Sequence, residues 1–229
     1  GRGGYRVYTH CFILPEQLLQ RFGNHPFRIM EALVVSGRAG VLTPLPEHLT
    51  PVSVVGRASA MKTADVERLC QSLGPEKLAS LVSAALKTDV LGVSAPAPPQ
   101  RLMGVLLDLL PPPRRMQFSL TTGLRVSPRR PYRLATLPDD REQQRQAVRL
   151  VHLTALDLHH DQPVKYAAQS GWPLLIYELL RSREFATLAA VVQDTAATTE
   201  TDIDLLAEQA RARIEKNTRA IDLSRPLAP

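Results

Sequence analysis

Arg114–Leu137 reads RRMQFSLTTGLRVSPRRPYRLATL, and the fold turns on how this stretch is read. In Met116–Thr122 the larger residues Met116, Phe118 and Leu120 alternate with Gln117, Ser119 and Thr121. A period of two is that of a strand with one buried face. Gly123 ends the run, because a residue without Cβ adopts backbone angles closed to Thr122. Tyr132–Leu137, mostly apolar and bounded by Pro138, reads as the return strand. Between the two, Pro128 and Pro131 bracket Arg129 and Arg130. Each proline fixes its own φ and restricts the residue before it, so the connector is expected to be stiff and extended. Its two guanidinium groups would then be held out from the sheet.

The charge is concentrated in the same region. Between Arg114 and Arg149, nine arginines stand against Asp139, Asp140 and Glu142, a net of +6 that equals the net charge of the whole chain. Everything outside this window therefore sums to zero. A one-sided positive field favours an anionic partner, protein or nucleic acid, although runs of charge also occur simply as solvated faces. The residues put forward for partner contact are Arg125, Arg129, Arg130 and Arg133.

At 229 residues the chain suits one large domain or two small ones and is long enough to bury a core. With 44% hydrophobic and 22% charged residues it has the composition of an ordinary globular protein. Cys11 and Cys70 are too few for a disulfide framework and fit a reducing compartment. No apolar run reaches the ~18–20 residues of a membrane span. A cytoplasmic location without membrane contact is the expectation. The start, Gly1-Arg2-Gly3-Gly4, lacks a methionine, so the sequence reads as an excised segment.

Outward from the opening stretch, strand and helix patterns alternate. Tyr5–Leu14 reads as a central first strand, with Cys11 packed beside Val7 and Ile13. His10 points to the opposite face, so no Cys–His pair forms. A helix after Pro15 carries Leu18, Leu19 and Phe22. A second, entered through Asn24 and Pro26, carries Phe27, Met30, Leu33 and Val34 and stops at Gly37. Val52–Arg57 reads as a second strand. Thr63–Leu73 and Pro75–Lys87 form a helix pair with apolar stripes that include Val66, Leu69, Cys70 and Leu73, then Leu78, Leu81, Val82 and Ala85. Val90–Val93 is a short strand. A helix over Arg101–Leu110 is stopped by Pro111–Pro113. An exposed helix spans Arg141–Arg149, and Val151–Leu158 is the last strand. Helices over Val164–Gly171, Pro173–Leu180 and Arg183–Val192 follow, with Trp172 at a break. Ile203, Leu206, Ala210 and Ile214 mark a final helix with a narrow apolar stripe. The fold class is therefore α/β, a mixed sheet with helices packed around it and a C-terminal helical subdomain. The domains expected are residues 1–160 and 161–229.

Catalytic chemistry is thin. Gly37-Arg38-Ala39-Gly40 lacks the lysine and the spacing of a phosphate-cradling loop. Thr121-Thr122-Gly123 offers a weak anion-binding turn beside the arginines, and Asp157 closes an apolar strand as a magnesium-binding aspartate can. Turn chemistry alone explains the first, and an aspartate is a common end to a strand. His159-His160-Asp161 has no converging ligands from elsewhere, so no metal site and no cofactor are expected. No Gly-x-Ser-x-Gly elbow is present.

Three segments carry a family resemblance. Gly3-Gly4-Tyr5-Arg6-Val7-Tyr8-Thr9-His10, Phe22-Gly23-Asn24-His25-Pro26-Phe27, and Phe118-Ser119-Leu120-Thr121-Thr122-Gly123-Leu124 leading to Arg129-Arg130-Pro131 together resemble the GTPase-associated protein family of bacterial multi-gene conflict systems. The resemblance covers roughly residues 3–160, as an internal lobe after a missing N-terminal one. It implies a non-catalytic assembly role, docking on a GTPase-like partner in the bacterial cytoplasm, with no catalytic residues to transfer. Two alternatives stand beside it: a nucleic-acid binder that stacks bases on Phe118 or Tyr132, and an enzyme acting on a nucleotide or phosphoester.

Overall fold

The computed structural model describes residues 9, 11–40, 48, 51–124, 126–130, 132–159, 166–198 and 202–224. The chain forms two compact units, Gly1–Ser59 and Ala60–Pro229. The division thus falls at residue 59, and the C-terminal helices belong to the same unit as the sheet rather than to a subdomain beginning at residue 161.

In the first unit, α1 (Glu16–Arg21) and α2 (Pro26–Val35) are joined by Gly23 and Asn24, both at positive φ (64° and 55°). Asn24 N–H donates to the Leu19 carbonyl at 2.7 Å, closing the end of α1, and Pro26 opens α2 at a position that needs no N–H donor. Phe22, Ile29, Leu33 and Val54 make the core, flanked by Leu18 and Leu19. Met30 and Val34, read as part of the apolar face, are exposed, because the buried face runs through Ile29 and Leu33.

Neither strand expected in this unit forms among the described residues. Of Tyr5–Leu14, residues 5–8 and 10 lie outside them, and residues 11–14 belong to no strand. Phe12 and Leu14 pack, partly buried, against the core of this unit, and the alternate positions are left in solvent: Cys11 is exposed rather than a core thiol and Ile13 is 92% exposed. Val52–Arg57 likewise forms no strand. One side-chain and one backbone hydrogen bond hold that segment instead: the Arg21 guanidinium donates to the Val54 carbonyl, and Ala58 N–H donates to the Arg21 backbone carbonyl at 3.2 Å.

The second unit begins with α3 (Thr63–Leu73) and α4 (Pro75–Lys87), where Gly74 at φ 86° and Pro75 supply the stop and restart read from sequence. The sheet contains β1 (Leu91–Ser94), β2 (Leu120–Thr121), β3 (Leu134–Thr136) and β4 (Thr154–Asp157), in the order β2-β3-β1-β4. The remaining helices are α5 (Pro99–Asp108), α6 (Pro112–Arg115), α7 (Arg141–Val151), α8 (Gly171–Arg181), α9 (Phe185–Asp194) and α10 (Ile203–Ser224). The α/β class holds.

Every pairing among these strands is parallel. Leu120 is in register with Leu134, so Tyr132–Leu137 does not return alongside Met116–Thr122 as a hairpin would. The intervening dozen or so residues are about the minimum that a parallel crossover needs. The first flank is also shorter than its alternation implies. Arg114 and Arg115 end α6, Met116 is 54% exposed, and pairing is confined to Leu120 and Thr121. Prolines at the first positions of α6 start a helical turn where Pro111–Pro113 read as a stop.

The sheet has two unlike faces. Leu91, Val93, Leu134 and Leu156 lie on one; Gly92, Ser94, Ala135, Ala155 and Asp157 lie on the other. Gly92 must be small, because a Cβ there would sit 2.9 Å from the side chains of Leu137 and Leu153. α7 packs against β4 and buries none of its residues fully.

The helical layer centres on α4, which buries every residue from Leu78 to Ala85 because it packs against both α8 and α5. Trp172, expected at a helix break, lies inside α8 and is completely buried, its indole N–H donating to the Leu109 carbonyl at 2.8 Å. Arg115 finishes the same corner. It is 2% exposed, and its guanidinium donates to the carbonyls of Ala60 (2.8 Å), Leu110 (2.9 Å) and Asp108 (3.3 Å). Carbonyls at a helix C-terminus have no intrahelical donor; at the end of α5, Arg115 and Trp172 provide them. Cys70 faces inward on α3, and burial pushes its thiol pKa up, with Arg183 pulling down and Glu67 adding to the rise. Of the helix expected over Val164–Gly171, residues 164 and 165 lie outside the described residues and 166–170 are not helical. No helix among the described residues is long and apolar enough to cross a membrane.

Candidate functional site

The arginines proposed for partner contact separate into different environments. Ser127–Arg130 closes a tight turn, with Arg130 N–H donating to the Ser127 carbonyl at 2.9 Å and Arg129 N–H to Ser127 Oγ at 3.3 Å. Pro128 occupies the second position, where its fixed φ suits such a turn. The connector is therefore bent, not extended. Arg129 and Arg130 are nonetheless exposed, and no ion pair among the described residues engages them.

Arg133 is different. Its guanidinium lies 4.3 Å above the ring of Phe118, within reach of the Ala85 and Gln117 carbonyls at 3.5 Å each. A cation seated on an aromatic face and half-buried is part of the packing. Arg125 lies outside the described residues. Two of the four proposed arginines thus present charge freely.

The weak anion-binding turn is satisfied internally. Thr121 is buried at the end of β2, and its hydroxyl accepts the Leu124 N–H at 3.2 Å, which closes the turn from within. Thr122 is half-buried and Gly123 exposed.

A second basic face was not singled out in the sequence. Arg141, Arg145 and Arg149 lie one turn apart along α7 and, with Gln144 and Val148, line a shallow groove of about 290 Å³ that also includes Ala155 of β4. Arg145 pairs with Glu142 at 3.6 Å, both exposed. The signal was available as arginines at i, i+4 and i+8. What placed them on a groove was the packing of α7 on an edge strand.

Beside this groove, at the carboxyl end of the parallel sheet, Ser94, Asp139, Arg141, Gln144, Asp157 and His159 line a crevice of about 160 Å³. Ser94 and Asp157 are register partners on one face of the sheet. Asp157 Oδ1 accepts the His159 N–H at 2.9 Å, and His159 Nε2 lies 3.2 Å from Asp139 Oδ1. The Gln144 amide donates to the Pro138 carbonyl at 2.8 Å, and Asp140 caps α7 by accepting from Glu142 and Gln143 N–H. Carboxyl ends of parallel strands are the usual place for ligands. The chemistry assembled is limited, however. The Ser94 hydroxyl makes no hydrogen bond to His159, so no hydroxyl–imidazole–carboxylate relay exists. Among the described residues no group of three or more His, Cys, Asp or Glu side chains could hold a metal ion. Sequence reasoning reached Asp157 and His159 separately; Ser94 and Asp139 join them only through strand register.

Comparison with protein-family models, with curated proteins and with solved structures finds no match to this chain.

Proposed function

We propose that the chain is a non-catalytic protein-interaction module that docks on an acidic partner surface through Arg129 and Arg130. The observation that carries this reading is the Ser127–Arg130 turn, which presents two adjacent exposed guanidinium groups with no ion pair among the described residues. Desolvated, charge-assisted contacts of arginine with carboxylates are among the stronger polar contacts at interfaces. The sequence resemblance names the partner class, a GTPase-like protein in the bacterial cytoplasm.

The nucleic-acid alternative loses support from the packing. Phe118 is 8% exposed beneath Arg133 and cannot stack on a base, and Tyr132 is half-buried. Among the described residues, the enzymatic alternative finds no nucleophile hydrogen-bonded to a base. The test is Arg129→Glu together with Arg130→Glu in the full-length protein purified from its host. A GTPase-like protein that co-purifies with the parent should be lost from the double variant, while the circular-dichroism melt stays unchanged. Retained binding by the folded variant overturns the reading. So would tight, steeply salt-dependent binding of an oligonucleotide.

A further inference from the structure

We infer that the outer edge of β4, beside the arginine face of α7, is a docking site for an extended acidic segment of a partner protein, which adds to the sheet as a fifth strand. The inference uses residues other than Arg129 and Arg130 and goes beyond the role given to them.

β4 ends the sheet in the order β2-β3-β1-β4. Thr154 N–H donates to the Val90 carbonyl at 2.9 Å and Leu158 N–H to the Ser94 carbonyl at 2.8 Å, so these amides face β1. Amide direction alternates along a strand, which turns the amides of Ala155 and Asp157 outward. No described strand pairs with that side. Proteins commonly blunt such an edge with proline, lysine, a bulge or a very short strand; β4 is four residues long, but Thr154-Ala155-Leu156-Asp157 contains neither proline nor lysine and pairs with β1 without a bulge.

The neighbouring helix specifies what fits there. Arg141, Arg145 and Arg149 step along α7 by about 6 Å each, from a rise of ~1.5 Å per residue. Alternate side chains of an extended strand step by about 6.4–6.8 Å. Carboxylates at every second position of an added strand, on its α7 side, therefore stay in step with three guanidinium groups to within about 1–2 Å, a mismatch that arginine side chains absorb. The groove is lined by Gln144, Val148 and Ala155 besides the arginines, with no aromatic ring. Bases would find no stacking platform in it, which favours a peptide over single-stranded nucleic acid. Main-chain pairing with alternate side-chain contacts is an established mode of strand addition.

The test uses a fluorescein-labelled peptide with Glu alternating with Thr, titrated against the full chain and followed by anisotropy. Saturable binding is expected, weakened at least about tenfold by Arg145→Glu with Arg149→Glu. N-methylation of alternate peptide amides, which keeps every charge but blocks pairing, should weaken binding by a similar factor. An isomeric peptide with its glutamates in one block should bind less well, and Arg129→Glu with Arg130→Glu should leave binding unchanged. Equal binding of the N-methylated or block peptide overturns strand addition. Loss of binding in the Arg129/Arg130 variant places the peptide elsewhere and overturns the site. Tighter binding of an oligothymidylate than of the alternating peptide overturns the partner class.

Discussion

Arg115 offers the sharpest test of how the larger unit is held together. Replacing it with Met keeps most of the apolar stem and removes every donor. The carbonyls of Ala60, Asp108 and Leu110 then lose their guanidinium partner in a region where Arg115 itself is 2% exposed. A buried acceptor left unpaired costs about 1–3 kcal/mol. Three such acceptors overcount the loss, because the end of α5 can relax and Trp172 still holds Leu109. The range for losing hydrogen bonds to a charged group, about 1.5–3 kcal/mol, is the better guide. For a unit of this size that is a fall in Tm of roughly 3–12 °C. Urea unfolding should be followed in parallel by circular dichroism and by fluorescence of the single tryptophan, which is bonded into the same corner. Arg115→Lys keeps the charge but cannot span three carbonyls, and should lose more than about 1 kcal/mol. A loss below about 1 kcal/mol for Arg115→Met would refute the account and make the corner a packing contact only.

Gly92→Ala should destabilise by about 1–3 kcal/mol, since the new Cβ would meet Leu137 and Leu153 at 2.9 Å; an unchanged urea midpoint would show that those leucines yield freely. The two thiols should differ in reactivity: exposed Cys11 is expected to react with an aromatic disulfide within the first phase, and buried Cys70 only on unfolding. Because burial raises the Cys70 pKa, the unfolded chain loses that proton first as pH rises. The folded state then binds more protons than the unfolded one, so stability should decline as pH climbs through the ordinary thiol range, and Cys70→Ala should flatten that decline.

Helix signals in this chain were local and therefore legible. Thr63–Leu73 and Pro75–Lys87 form over the residues that their apolar stripes and the Gly74–Pro75 punctuation mark out. The strands were less so. Met116–Thr122 alternates convincingly, yet pairing depends on a partner strand and on where the preceding helix releases the chain, and α6 holds Arg114 and Arg115 in helix. Parallel pairing was hidden for the same reason, since nothing local separates a return strand from a crossover strand. Cys11 shows the cost of reading a face without a sheet to bury it. The candidate site was legible as charge but not as geometry. Arg129 and Arg130 could be placed on the surface from their prolines, whereas the seating of Arg133 on Phe118 and the gathering of Ser94, Asp139, Asp157 and His159 depend on register between distant segments.

Net charge alone overstates the basic surface, and sorting the nine arginines by what each touches corrects it. Arg115 is internal, Arg133 rests on Phe118, and Arg114 reaches Gln117 at 3.2 Å. The three acids gather at the start of α7, where Asp140 caps the helix, Glu142 lies in its first turn and Asp139 faces His159. Negative charge there is favourable to the helix dipole, and Arg149 in the last turn is favourable at the other end. The acids are therefore accounted for by the helix itself, and so in part are Arg145 and Arg149. Arg129 and Arg130 have no such explanation: they cap nothing and pair with no described acid. Charge that the fold neither needs nor neutralises is the charge most available to a partner, and at physiological salt it acts only within a Debye length of about 8 Å. The docking proposed for this turn would accordingly be close and direct, and its loss on charge reversal should be abrupt rather than graded with distant surface charge.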